Sequence, residues 1–390
     1  MTVISDNSTK KSLLPSGFQD ILPPHAAEES SLISTLMHHY SQFNYLQVKP
    51  PMVEFEETLL GGEMQLSALT FRVLDPKSHA MMAIRSDMTP QIARMAALRL
   101  HDAPRPLRLC YTGNVLRVSG GGLFAERQLG QCGTEIIGSK DSGACAESVI
   151  VAASALHASG VTDVSVDFNL PGLSSSIMDA YNVKDTNRDL LLNAIEAKDN
   201  QTVKNVGEEA ADLLITIINI ANESPLKEAN ETLEALLSLP LPEAGRNDCL
   251  LLKDTILHII NSGIDISVTI DPLERNGFEY HRHVSFALFS SKTGEELGRG
   301  GCYTIELNNE PATGFTLNVN ALNRAISSKS KAHIPVYAPA NIAFSTITAL
   351  QKAGYVICRG LTTAEDNHSE AIRLNCSGIV QENGSIIPLT

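Results

Sequence analysis

The chain has 390 residues, 43% of them apolar, and a formal net charge of -14 at pH 7. That length supports more than one compact unit with an ordinary core, and the acidic balance argues against nucleic acid, which is usually met by a broad basic face. Seven scattered cysteines with no C-x-x-C pair suggest neither a disulfide framework nor a zinc site, and they fit a reduced, cytoplasmic setting.

Residues 1–12 are polar and lack an apolar targeting core; Leu14-Pro15-Ser16-Gly17-Phe18 then opens a turn-rich stretch that reaches Pro24. Leu32, Leu36 and Tyr40 recur at helical spacing within 26–43. The stretch 48–55 reads as an extended strand, and Pro50 and Pro51 place it at an edge or an interface. Residues 68–74 and 80–85 alternate as a hairpin and lead into Ile84-Arg85-Ser86-Asp87-Met88-Thr89-Pro90-Gln91, a strand end turning into a helix. There Thr89 is expected to cap the helix and Pro90 to take its first position, with the helix running to Leu100. Asp87 beside Thr89 fits two readings: both share the capping, or together they hold an ammonium group.

Strands are expected over 107–118 and 128–137, joined by a glycine loop at Ser119-Gly120-Gly121-Gly122. A helix over 147–158 and a strand over 164–170 follow. From 174 to 261 the sequence turns to helices rich in Ala, Leu, Glu and Asn, which reads as an insert. Within it 213–221 is the longest apolar run, interrupted by Thr216 and Asn219, and falls short of the roughly 18 residues of a membrane span. Strands resume over 266–270, 280–290, 296–305 and 314–319. The polar run Ser327-Ser328-Lys329-Ser330-Lys331 separates a core of 1–326 from a small α/β unit of 332–390, read as β-α-β-α-β.

Three separated segments carry polar groups that strands could gather: Asp87 with Thr89, Arg117 with Gln131 and Glu135, and Glu279 with Tyr280 and His281. Gln131 and Glu135 are four apart, so on one strand they share a face. A cation for a carboxylate, acceptors for an ammonium, and a carboxylate with a phenol for a polar side chain are together what a bound amino acid requires. A polar strand facing solvent is the other reading. His281 and His283 have no further ligand at metal-like spacing, and the glycine loop lacks both the Walker lysine and the Rossmann order.

These segments resemble, in order and spacing, the catalytic core of histidyl-tRNA synthetase, a class II aminoacyl-tRNA synthetase, over roughly residues 14–170 and 264–325. The resemblance rests on Pro51-Met52-Val53-Glu54 for motif 1, Arg85-Ser86-Asp87-Met88-Thr89, the pair of strands ending in Gln131-Cys132-Gly133-Thr134-Glu135 for motif 2, and Gly277-Phe278-Glu279-Tyr280-His281 for the histidine-specific segment. It implies an α+β fold, a six- or seven-stranded antiparallel sheet flanked by helices and dimerising through motif 1. It also implies a histidine site: Asp87, Thr89 and Gln131 on the amino group, Arg117 on the carboxylate, Glu135 and Tyr280 on the imidazole.

The nucleotide-handling residues of that family are replaced. The motif 2 glutamate facing adenine is Ser119, a loop arginine is Ala125, Gly-Gly-Arg-Tyr is Gly300-Gly301-Cys302-Tyr303, the motif 3 arginine is Ala321, and the arginine expected before Gly277 is Asn276. Adenylation needs cations to neutralise phosphate charge, and losing one such group costs several kcal/mol of barrier, so the pattern argues against a ligase. Keeping the residues that meet the amino acid while replacing those that meet the nucleotide, the chain is similar to the regulatory subunits of ATP phosphoribosyltransferase. That resemblance implies a chain with no catalytic residues, cofactor or metal, which assembles as dimers with a short-form catalytic subunit in a hetero-octamer and passes on feedback inhibition by histidine. Two other readings, a divergent histidyl-tRNA synthetase and a synthetase paralogue with another ligand and partner, are separated from it by ATP–pyrophosphate exchange and by calorimetry with amino acids.

Overall fold

The structure is a computed structural model that describes residues 14–60, 64–120, 126–224, 229–274, 281–326 and 334–389. It divides into two compact units, Met1–Ser328 and Lys329–Thr390. The first begins with helix α1 (His25–Gln42), strand β1 (Leu46–Gln47) and strand β2 (Val53–Phe55). Two short helices, α2 (Glu56–Leu60) and α3 (Met64–Leu69), precede the hairpin β3 (Arg72–Leu74) and β4 (Met81–Ile84); β2, β4 and β3 form a small antiparallel sheet. Helix α4 (Thr89–Leu98) follows.

The main sheet is built from β1, β5 (Leu107–Leu116), β6 (Gln128–Ile137), β7 (Val164–Asn169), β8 (Ser267–Ile270), β9 (His281–Ser290), β10 (Glu296–Ile305) and β11 (Glu310–Asn318). Its order is β1-β5-β6-β11-β10-β9-β7-β8. The fold is α+β as the sequence indicated, with one revision to the sheet. It has eight strands rather than six or seven, and both edge pairs, β1 with β5 and β7 with β8, run parallel. The edge strand β1 is only two residues long, too short for the alternation that announces a strand in sequence, whereas β8 falls within the strand expected over 266–270.

Helix α5 (Ser142–Ala158) starts five residues earlier than the sequence reading placed it, because Ser142 to Ala146 carry no large apolar residue to mark the turn. It packs with α1 on one face of the sheet, where Leu36, Tyr40, Val149, Ala152 and Leu156 meet Val166, Phe168, Phe286, Phe315 and Leu317 in one buried cluster. Burying a single Leu or Phe of this kind contributes about 1.5–3 kcal/mol.

The insert holds six α-helices among the described residues: α6 (Leu173–Ala180), α7 (Asp185–Glu196), α8 (Asn200–Val206), α9 (Ala211–Glu223), α10 (Ala229–Leu237) and α11 (Glu243–Ser262). Local chemistry sets their ends. Asp199 caps α8 by accepting from the Gln201 and Thr202 amides, and Gly263, at φ +72°, ends α11 in the left-handed conformation that glycine adopts without penalty. Among the described residues, no helix is long and apolar enough to cross a membrane. After β11 the chain forms α12 (Val319–Ala325), capped by the Asn318 side chain, where the sequence reading had placed the end of a strand.

The second unit holds β12 (Val336–Ala338), α13 (Phe344–Lys352), β13 (Ile357–Arg359), α14 (Asn367–Arg373), β14 (Gly378–Val380) and β15 (Ile386–Pro388). Its sheet order is β13-β12-β14-β15; β15, absent from the sequence reading, adds antiparallel to β14. Val336 and Ala338 pack with Ile342 and Ile347, and Tyr337 with Ala371 and Cys376, so both faces of the sheet are covered.

Candidate functional site

The face of the main sheet opposite α1 and α5 is lined by α4. Met88, Ile92 and Ala96 pack on Leu107, Leu109, Tyr111, Leu129, Tyr303 and Ile305. Directly paired residues of antiparallel strands point to the same side. Glu135 on β6 faces Gly314 on β11, which faces Gly301 on β10, then Ser285 on β9 and Asn169 on β7. Two glycines in the middle of that row leave space for the Glu135 carboxylate to lie across the sheet. A Cβ on Gly314 would collide with Oε2 of Glu135.

The structure gathers Asp87, Thr89, Gln131 and Glu135 into one buried polar cluster. Gln131 ties it to the start of α4: its Oε1 accepts from the Met88 amide at 3.1 Å, and its Nε2 donates to Asp87 Oδ1 at 2.9 Å. Thr89 is not the cap. It is the first residue of α4, the cap position is Met88, and no side chain caps the helix. The hydroxyl is instead 3.3 Å from that of Tyr111, because the turn points it toward the sheet. The helix ends at Leu98, two residues before the expected Leu100.

Glu135 is 1% exposed and accepts from two phenols, Tyr303 at 3.0 Å on Oε2 and Tyr111 at 3.3 Å on Oε1. Tyr111 also shares a 2.7 Å hydrogen bond with Thr316. Burial pushes the Glu135 carboxyl up to about 8; hydrogen bonds from Tyr303, Thr89 and Tyr111 work against the rise, and the charge of Asp87 adds to it. Near neutral pH the ligand-free cluster therefore holds a proton on Glu135.

Arg117 follows the end of β5 and donates from Nε to the Ser86 carbonyl at 3.2 Å, which sets it beside the residue preceding Asp87. Arg85, by contrast, is a structural cation: it donates to the Asn114 carbonyl at 2.7 Å and the Pro50 carbonyl at 3.2 Å. Glu54 of the proline-bearing strand accepts from Gln91 at 2.7 Å and Arg94 at 2.6 Å, so that motif braces α4. Tyr280, Glu279 and Asn276 lie outside the described residues.

The sequence reading did not name Tyr111, Tyr303 or Thr316 as site residues. The signal was present in part: Tyr303 closes Gly300-Gly301-Cys302-Tyr303, and Tyr111 sits opposite Gly133, one pleat from Glu135. What was missing was register, which no single strand encodes. Among the described residues, no group of three or more His, Cys, Asp and Glu side chains is placed to hold a metal ion. His283 lies 2.8 Å from Asp248 of α11, which ties β9 to the insert.

The mixed sheet, with α1 and α5 on one face and the buried Asp–Gln–Glu cluster beneath α4 on the other, belongs to a chain of the histidyl-tRNA-synthetase-like class. The sequence profile of the histidyl-tRNA synthetase family matches residues 17–322. The fold is shared with a solved ATP phosphoribosyltransferase regulatory subunit/histidyl-tRNA synthetase from Bacillus halodurans, at TM-score 0.80 and 22% identity, covering 94% of this chain and 97% of that one. It is shared also with histidyl-tRNA synthetase from Nostoc sp., at TM-score 0.72 and 18% identity, covering 95% and 91%. In sequence the chain is 42% identical over 374 residues to the ATP phosphoribosyltransferase regulatory subunit of Paramagnetospirillum magneticum, covering 95% of this chain and 96% of that one. It is 38% identical over 378 residues to that of Gluconobacter oxydans, covering 97% of each. The chain belongs to the family of ATP phosphoribosyltransferase regulatory subunits.

Proposed function

We propose that this chain is the histidine-sensing subunit of a short-form ATP phosphoribosyltransferase: it activates a separate catalytic subunit and transmits feedback inhibition when histidine fills the cluster on the sheet. The observation that carries this reading is Glu135, a fully buried carboxyl bracketed by Tyr111 and Tyr303 and aligned with the Asp87–Gln131 pair. That spacing suits a ligand with an ammonium at one end and an imidazole at the other. Asp87, Thr89 and Gln131 would take the ammonium, Arg117 the carboxylate, and Glu135 with Tyr280 the ring. Ser119 and Ala321, standing where a synthetase has nucleotide-binding side chains, support a chain that senses rather than ligates.

In this reading dimers of the chain assemble with catalytic subunits into a hetero-octamer. Histidine acts by preferring one state of the complex, a coupling of about 1–3 kcal/mol. The test is the rate of phosphoribosyl-ATP formation by a matching short-form catalytic subunit, with and without this chain, each with and without histidine. Stimulation together with new histidine sensitivity is expected. A rate indifferent to the chain, with both proteins shown to mix at micromolar concentration, would sink the reading; ATP–pyrophosphate exchange with histidine would replace it by a ligase.

A further inference from the structure

The polar cluster poses a charge problem that the proposed ligand has to solve. Glu135 sits on β6 with its carboxyl over Gly314 of β11. Among the described residues, the groups that face it are the hydroxyls of Thr89 on α4, Tyr111 on β5 and Tyr303 on β10, together with the carboxylate of Asp87 in the turn before α4. None of these is a cation. Among the described residues only hydroxyls are placed to stabilise a carboxylate here, which would be a buried charge beside a second acid, and a group so surrounded holds its proton until a cation arrives. The hydroxyl network accommodates either state. Tyr111 shares a hydrogen bond with Thr316 in which either oxygen can donate, so Tyr111 can turn to accept from Glu135 or to donate to it.

We infer that the pocket takes histidine as its imidazolium, with Glu135 handing its own proton to the ring as the ligand seats. This rests on the proposed function, since it concerns the ligand assigned there. The step balances without any outside donor: the Glu135 O–H bond breaks, the lone pair of the unprotonated ring nitrogen takes the proton, and a neutral acid with a neutral ring becomes a carboxylate with an imidazolium. The proton moves from a group near 8 to a ring near 6.5, so the attraction between the two new charges at contact, stronger where the dielectric is low, has to offset both that difference and their burial. Neutral amino acids of similar size, such as glutamine or asparagine, can form hydrogen bonds with Glu135 but have no lone pair basic enough to accept its proton. The device therefore selects for a ring that titrates near neutral pH.

A linkage pattern follows. Between the ordinary titration of the free ring, about pH 6.5, and that of Glu135, about 8, the partners bring one proton between them and keep it, so affinity stays level. Above that range Glu135 has already lost the proton, one must be drawn from solution, and affinity falls about tenfold per pH unit.

The experiment uses ring-15N-labelled histidine bound to the complex of the full chain with its catalytic subunit, at pH 7.2. NMR reads the ring's protonation state, and calorimetry in two buffers of different ionisation enthalpy counts protons exchanged. The expected result is a bound imidazolium with net proton uptake near zero. With Glu135→Gln the bound ring should be neutral, affinity at pH 7.2 at least tenfold weaker, and the fall above pH 8 gone. Asp87→Asn should weaken binding yet leave the ring as imidazolium. A neutral bound ring in the unmutated complex would overturn the inference while leaving the histidine site standing. So would an imidazolium formed with uptake of one proton from buffer, or one lost with Asp87→Asn. Absence of histidine binding at every pH would remove the proposed function itself, and this inference with it.

Discussion

The two faces of the main sheet are made by the same strands and do opposite work. On the helix side, Ile136, Phe286, Phe315 and Phe168 interlock with α1 and α5 in an apolar core. One residue along each strand, Gln131, Glu135 and Gly314 turn the other way into a polar cluster that is also buried, with the half-buried Thr316 at its side. The apolar face can be cut back only at the cost of cavities, whereas the polar face already tolerates an unfavourable group, a carboxyl held protonated by its surroundings. Both faces bury apolar side chains, the second against Met88, Ile92 and Ala96 of α4, but only the second also buries the polar cluster, because the period of a strand keeps the two sets apart.

The contrast is sharpest at Phe315, which meets Tyr40 edge to face with ring centroids 5.8 Å apart. Phe315→Ala should lower unfolding free energy by about 3–5 kcal/mol, read by chemical denaturation of the full chain; a loss under about 1 kcal/mol would show that the helix face is not the stabilising one. The pH dependence of Glu135 comes next. Its folded value lies above the ordinary 4.5, at about 8, so the folded chain holds a proton that the unfolded chain releases. The stability it confers is fully present below pH 4.5 and is lost as pH rises through 8. Compared with Glu135→Gln, the unmutated chain should lose roughly 4 kcal/mol between pH 5 and pH 9; parallel stability curves for the two proteins would refute the buried proton.

Gly314→Ala brings the two faces together. The added Cβ meets the Glu135 carboxylate, which can turn aside, and the Thr134 carbonyl, which can give way only if the β6 and β11 backbones part. We expect a cost of about 1–3 kcal/mol in stability together with a loss of histidine response well beyond that of Phe315→Ala, measured on the assembled enzyme. Equal losses of response in the two variants would erase the distinction. The smallest effect belongs to the insert's edge, where Lys198 reaches Asp271 at 2.8 Å with much of its side chain in water. Lys198→Met should cost no more than about 1 kcal/mol, visible as a slight shift in the thermal midpoint; a larger loss would mean that the insert is a structural part of the sheet edge.

Much of this architecture was written locally. The spacing of Leu32, Leu36 and Tyr40 marked α1, the run 128–137 marked β6 to the residue, and the change in composition after 174 marked the insert. The four-residue step from Gln131 to Glu135 placed both on one face. Such features depend on neighbours within a turn or a pleat, so a linear reading can find them. Tertiary structure alone decided which strands lie beside β6. Tyr111 and Tyr303 reach Glu135 from strands 24 and 168 residues away in sequence; Gly314 clears the space between them by register. It also turned Thr89 from a helix cap into a member of the cluster. A side chain's hydrogen-bond partner is chosen by what the completed fold sets within about 3 Å of it, after the backbone has taken its first claim on local donors and acceptors. The sequence by itself determined which chemical groups this chain carries and which strand faces they occupy; packing decided that a carboxyl, two phenols and a pair of glycines would meet in one buried place.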